Sequence, residues 1–111
     1  MSELRGIGLD ICGIARMAQQ LDNTHFLQRI LTKEEIAYLR SRGASAADTL
    51  AGLYAAKEAI VKAMHGVREL HICDIEIRSD DSGAPVCTLP GIRLSIAHER
   101  EYAVAFALYI G

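Results

Sequence analysis

The apolar positions of this chain change period about two thirds of the way along it. Over residues 4–11, Ile7, Leu9 and Ile11 recur at every second position, which predicts a first strand whose far end delivers Asp10. Gly6 and Gly8 in that strand permit close backbone approach or a bulge. With no third glycine leading into a helix, they are not a dinucleotide fingerprint. A short helix is expected over residues 14–21. Thr32 and Glu35 then form a capping box for a helix running to about Arg42. Residues 43–48 read as a loop with Asp48 as a helix N-cap. From residue 49 to about 65 runs the most apolar helix, whose charges are Lys57, Glu58 and Lys62. Such a helix is buried on most of its circumference.

After Gly66 the period becomes two. Ile75 and Ile77 should face inward with Glu76 and Arg78 outward, residues 80–83 form a turn, and a return strand begins near Ala84. Residues 92–98 place Leu94, Ile96 and His98 on one parity. In the last segment Val104, Phe106, Leu108 and Ile110 alternate with Ala103, Ala105 and Ala107, so both faces should be buried, the alanine face against a close helix. Helices mostly first and strands mostly last indicate an α+β fold with an antiparallel sheet. At 111 residues, with no linker or repeat, a single domain over 1–111 is expected.

Composition narrows the class. Half of the residues are hydrophobic, which argues for a folded chain with a real core. A formal net charge of -2 supplies no basic field for nucleic acid or an anionic membrane. The odd, scattered cysteines Cys12, Cys73 and Cys87 suit reduced core-type residues and not a zinc site. No apolar run has the length of a signal peptide or of a membrane span of roughly 18 residues, so a soluble cytoplasmic protein is expected.

On a helix, Ala51, Ala55, Glu58 and Lys62 share one stripe. Glu58 and Lys62 could be an exposed ion pair worth about 0.2–0.5 kcal/mol. On an otherwise apolar helix, however, charges are paired, neutralised or employed, and small neighbours leave space for a ligand. Asp10 is a second carboxylate; an N-cap role falls more naturally to Gly13. Two carboxylates from separate elements, without a His or Cys cluster, suit Mg²⁺ better than zinc, and Mg²⁺ usually accompanies a phosphate-bearing substrate. His98 alone reads more readily as a satisfied strand-end histidine than as a catalytic one; Arg16 could be a solvated helix charge, and Arg29 is preferentially read as one.

Five ordered blocks extend this reading: GIGLDI followed by Arg16, FLQRILTKEE, LAGLYAAKEAIVKAM, CDIEIRSDDSGAP and RLSIAHEREYAVA. In order and over residues 4–110, they resemble the bacterial holo-acyl-carrier-protein synthases, through a GxD and a KEAxxK signature. The resemblance implies transfer of the 4'-phosphopantetheine arm of coenzyme A to a serine of an acyl carrier protein, with release of adenosine 3',5'-bisphosphate. It implies a homotrimer with sites in the clefts between subunits. Asp10 and Glu58 match the magnesium ligands. For the chemistry so implied, Glu58 or a metal-held water is expected to take the serine proton and Lys62 to stabilise or protonate the leaving oxygen. Lys57, Lys62 and His98 match positions around the coenzyme A phosphates. Arg16 matches a residue that meets the acidic recognition helix of the carrier protein, with Arg29 assisting.

Three positions depart from the family pattern. Leu53 stands where an arginine precedes the aromatic of an RFAAKEA block, His65-Gly66-Val67 replaces a glycine-threonine-glycine loop, and Ala97 replaces a hydroxyl residue before His98. They leave open a second reading, a carrier-binding or assembly protein that has kept the fold and lost turnover. A small metal-binding structural protein is a third.

Overall fold

The computed structural model describes residues 2–111. Strand β1 (Leu4–Gly13) leads into α1 (Ile14–Ala18), α2 (Thr24–Ile30), α3 (Lys33–Arg40) and the long α4 (Ala46–Ala63). Strands β2 (Ile77–Ser79), β3 (Pro85–Cys87), β4 (Ile92–His98) and β5 (Tyr102–Ile110) follow. β1, β5 and β4 form an antiparallel sheet in that order, and β2 and β3 a separate hairpin. The fold is α+β, as the change of period predicts. Among the described residues no helix is long and apolar enough to cross a membrane.

Small residues let α4 lie directly on the sheet. Ala103, Ala105 and Ala107 of β5 are fully buried, as are Ala51, Ala55, Ala56 and Ala59 of the helix. β1 approaches closest: a Cβ on Gly6 would stand 1.8 Å from the Ala63 carbonyl oxygen, and one on Gly8 1.8 Å from that of Ala59. Only backbone without a side chain fits there. The two glycines therefore serve close approach at the C-terminal end of α4, over Ala59–Ala63.

The opposite sheet face overturns one expectation. Ile7, Leu9 and Ile11 are 60%, 58% and 61% exposed, and Phe106 is 44% exposed. Only the alanine face of β5 is fully buried within the chain; on the other face Val104, Leu108 and Ile110 are half-covered. The apolar alternation fixes which residues share a face, and the glycines decide which face meets the helix.

Several boundaries also shift. The capping box is present, with Thr32 Oγ1 accepting from the Glu35 amide and the Glu35 carboxylate accepting from the Thr32 amide. α1 stops at Ala18, and α2, capped by the Asn23 side chain on the Phe26 amide, was not anticipated. Asp48 lies inside the first turn of α4, because a 3-10 turn over Gly43–Ser45 feeds straight into that helix. Ile75 and Ile77 are buried as expected, but the strand begins only at Ile77. The cysteines are free thiols; Cys12 and Cys87 are buried, whereas Cys73 is exposed and not a core residue. Burial raises the Cys12 and Cys87 thiol pKa values.

Candidate active site

The seam between β1 and α4 gathers the first group of candidates. Asp10 lies on the same strand parity as Gly6 and Gly8, whose missing side chains draw the helix in. Lys62, near the end of α4, donates to the Leu9 carbonyl at 2.8 Å and to Asp10 Oδ1 at 3.2 Å. Glu58 lies one helical turn before Lys62 and is half-buried. Ala51 and Ala55, expected to leave space beside these charges, are instead fully buried. The accessible stripe is Tyr54, Glu58 and Lys62.

Tyr54, absent from the sequence-based candidates, belongs to this group; its spacing of four from Glu58 is the signal in the sequence. The Arg16 guanidinium sits over its ring, 5.6 Å from the centroid. Burial raises the phenol pKa; Glu58 adds to the shift, while Arg16 opposes it and Asp10 contributes a smaller rise. Both carboxylates and Arg16 thus act on one phenol. Arg29, exposed in the last turn of α2, is on a different element.

A cavity of about 760 Å³ lies on the other flank of α4, bounded by α3, the start of α4, the β2–β3 hairpin and the end of β4. Tyr38, Arg42, Asp48, Leu53, Arg78 and His98 contribute to its wall, whereas Asp10, Glu58 and Lys62 do not. His98 Nδ1 is 4.0 Å from Asp48 Oδ2. Leu53 makes part of that wall apolar. Ala97 is exposed on the parity opposite His98, and His65-Gly66-Val67 lies beyond the far end of α4. The three departures are therefore spread along the molecule.

Register places the two groups at opposite edges of the sheet. Asp10 pairs with Ala105, which pairs in turn with Ile96, two residues before His98. β5 and the body of α4 stand between them.

Lys57 requires a correction. Expected beside the coenzyme A phosphates, it is fully buried. Its ammonium donates to Glu35 Oε1 at 2.5 Å and to the carbonyls of Ile30 at 2.8 Å, Ile75 at 2.6 Å and Ile72 at 3.1 Å. Burial lowers its pKa, with the Glu35 hydrogen bond and charge pulling it back. An ammonium so enclosed by protein oxygens has no donor left for an external phosphate.

Among the described residues no group of three or more His, Cys, Asp or Glu side chains could hold a metal ion. Asp10 and Glu58 nonetheless supply oxygen donors only, the chemistry of a hard cation that completes its shell with water and substrate oxygens. The donor types fit such an ion.

The family profile of the 4'-phosphopantetheinyl transferase superfamily matches residues 6–107. The holo-[acyl-carrier-protein] synthase of Halothermothrix orenii is 36% identical, over 95% of this chain and 96% of the relative. That of Bacillus thuringiensis is 40% identical, over 90% of each. The crystal structure of a holo-(acyl-carrier-protein) synthase from Bacillus anthracis in complex with CoA (3',5'-ADP) superposes with a TM-score of 0.84 at 38% identity, covering 96% of both chains. The Helicobacter pylori enzyme in complex with coenzyme A gives a TM-score of 0.78 at 28% identity, over 95% of this chain and 99% of that one. The chain belongs to the 4'-phosphopantetheinyl transferase superfamily, and within it to the holo-acyl-carrier-protein synthases. It is an enzyme, a phosphopantetheinyl transferase.

Proposed function

We propose that this chain, as one domain spanning 1–111, transfers 4'-phosphopantetheine from coenzyme A to a serine of an apo acyl carrier protein in the cytoplasm, with Mg²⁺ as cofactor and adenosine 3',5'-bisphosphate as second product. The observation that carries this reading is the union of Asp10 and Lys62 with the adjacent Glu58 at the β1–α4 seam, in a chain of this family. Asp10 and Glu58 would hold the cation, which when bound supplies charge neutralisation on the pyrophosphate.

In the transfer, the serine oxygen forms a bond to the β-phosphorus and the bond from that phosphorus to the bridging oxygen breaks. The electron pair leaves on the adenosine bisphosphate. Glu58 or a water beside it takes the serine proton. Lys62, tethered to Asp10 with its side chain 54% exposed, steadies the leaving oxygen. His98 serves the phosphates of coenzyme A from the cavity side. Incubation with coenzyme A, Mg²⁺ and a panel of apo carrier proteins, read by mass spectrometry, tests the reading; no carrier gaining the pantetheine arm at ample enzyme would refute it. Leu53 in the cavity wall favours the second reading, a carrier-binding relative without turnover, and the same experiment separates the two.

The exposed row of Ile7, Leu9, Ile11 and Phe106 supports a homotrimer that covers this sheet face. The separation of Asp10 from His98 then has a use, because an inter-subunit cleft can combine the Asp10 edge of one chain with the His98 edge of the next. Asp10→Asn and His98→Ala, each impaired alone, should regain about a quarter of wild-type activity when refolded together, since random cyclic mixing leaves that share of clefts intact. A mixture no more active than its separate components would place each site within one chain.

Carrier docking must rest on a local patch, because both partners are acidic overall. Arg16→Glu should raise the carrier KM roughly tenfold and flatten its salt dependence, as expected for a charge acting at an encounter surface. Steady-state rates from low to high ionic strength check this; a wild-type KM insensitive to salt counts against it. Arg29→Glu should act in the same direction with a smaller effect.

A further inference from the structure

Between the two halves of the proposed site lies a chain of polar contacts that the mechanism does not use. It starts at Lys57, the residue next to Glu58. Lys57 ties α4 to the end of α2 through the Ile30 carbonyl and to the segment before β2 through those of Ile72 and Ile75. Glu35 continues it: Oε1 accepts from Lys57 and the Thr32 amide, and Oε2 accepts from the Ile77 amide at 2.9 Å. Thr32 Oγ1 donates at 2.8 Å to Glu76 Oε1, and Glu76 Oε2 accepts from Arg78 at 2.7 Å on the cavity rim.

We infer that the buried Lys57–Glu35 pair is a positioning device that sets the roll of α4, and with it the direction of Glu58, while fixing Arg78 at the cavity through Thr32 and Glu76. The inference rests on the transferase reading and assigns to the buried Lys57 and Glu35 an effect on both half-sites. Four carbonyl and carboxylate oxygens converge on one ammonium. A rotation of α4 would strand several of them unpaired in the interior. Helical geometry then fixes Glu58 about 100° around the axis from Lys57. On the other side, Ile77 is held by its buried amide to Glu35, and Arg78, its side chain 65% exposed, is oriented by Glu76, which Thr32 in turn holds, so the first two residues of β2 are linked to the same pair.

The test uses the full chain with Glu35→Gln, Glu76→Gln and Ile92→Ala, the last trimming a partly buried residue that packs on the core at the opposite end of β4 from His98. Thermal unfolding, steady-state kinetics, calorimetric binding of coenzyme A and hydrogen exchange of the Ile77 amide are compared below every melting temperature. Glu35→Gln should lower kcat about tenfold, weaken coenzyme A binding and speed Ile77 exchange, since small misplacements at a reacting centre are costly. Glu76→Gln should weaken coenzyme A binding several-fold with kcat unchanged, because it cuts only the branch to Arg78. Ile92→Ala should lose thermal stability without either effect. Glu35→Gln indistinguishable from Ile92→Ala in kcat and coenzyme A binding overturns the inference. If Glu35→Gln fails to fold, unchanged coenzyme A binding in Glu76→Gln overturns it alone. A wild-type chain that neither binds nor turns over coenzyme A would refute the transferase reading instead.

Discussion

Glu58→Gln should reduce turnover about a thousandfold while leaving the chain folded, the range set by loss of a positioned proton acceptor together with a carboxylate beside a cation. The substitution is isosteric and lies half-buried on the accessible stripe of α4, away from the alanine face that packs on the sheet. Stability should therefore change by no more than about 0.5 kcal/mol, as for surface substitutions outside buried networks. Circular dichroism and melting establish the fold, and single-turnover mass spectrometry of the carrier protein measures the rate. Asp10→Asn should resemble it in rate but also remove the charge that faces Lys62 at 3.2 Å, leaving the lysine its bond to the Leu9 carbonyl. Wild-type turnover in Glu58→Gln would remove this residue from both the metal and the proton-transfer roles.

Gly8→Ala should have the opposite profile: a loss of the fold itself. The new Cβ would lie 1.8 Å from the Ala59 carbonyl oxygen and 2.8 Å from the Ala63 amide nitrogen. These are backbone atoms of a helix, so no side chain can rotate away. Relief requires α4 to lift from β1, opening the contact with Ala103, Ala105 and Ala107. Overpacking usually costs about 1–3 kcal/mol where side chains can adjust. Here the expected loss is about 3 kcal/mol or more, a large part of a domain stability of roughly 5–15 kcal/mol. Urea unfolding measures it. Gly13→Ala is the control: its Cβ would meet only the Arg16 Cβ, at 3.9 Å, and its φ of -71° suits any residue.

Features encoded locally were legible in the sequence. The Thr32–Glu35 capping box spans three residues, and the α4 periodicity spans one element; both are present, as is the antiparallel sheet. α2 is not legible in the sequence because seven residues provide too little period, leaving only the Asn23 cap as a signal. The place of Lys57 is not legible locally, because its acceptors come from residues 30, 35, 72 and 75, a convergence that exists only in the fold. Glu35 concealed its second task behind its first, since capping accounts for the carboxylate without Lys57. Asp10 and Lys62 were legible as candidates, and the structure brings them into contact. Their distance from His98 depended on strand order, which no local pattern records.

The uncovered sheet face has a consequence for how the protein behaves as a population. In the proposed trimer, Leu9 and Phe106 would be sealed only while chains are associated, so dilution would shift molecules toward protomers with half-sites and open apolar strands. Stability and catalytic competence would then be properties of a concentration as well as of a sequence. The rate at which the chain is synthesised would set not merely how much enzyme is present but what fraction of it is enzyme at all.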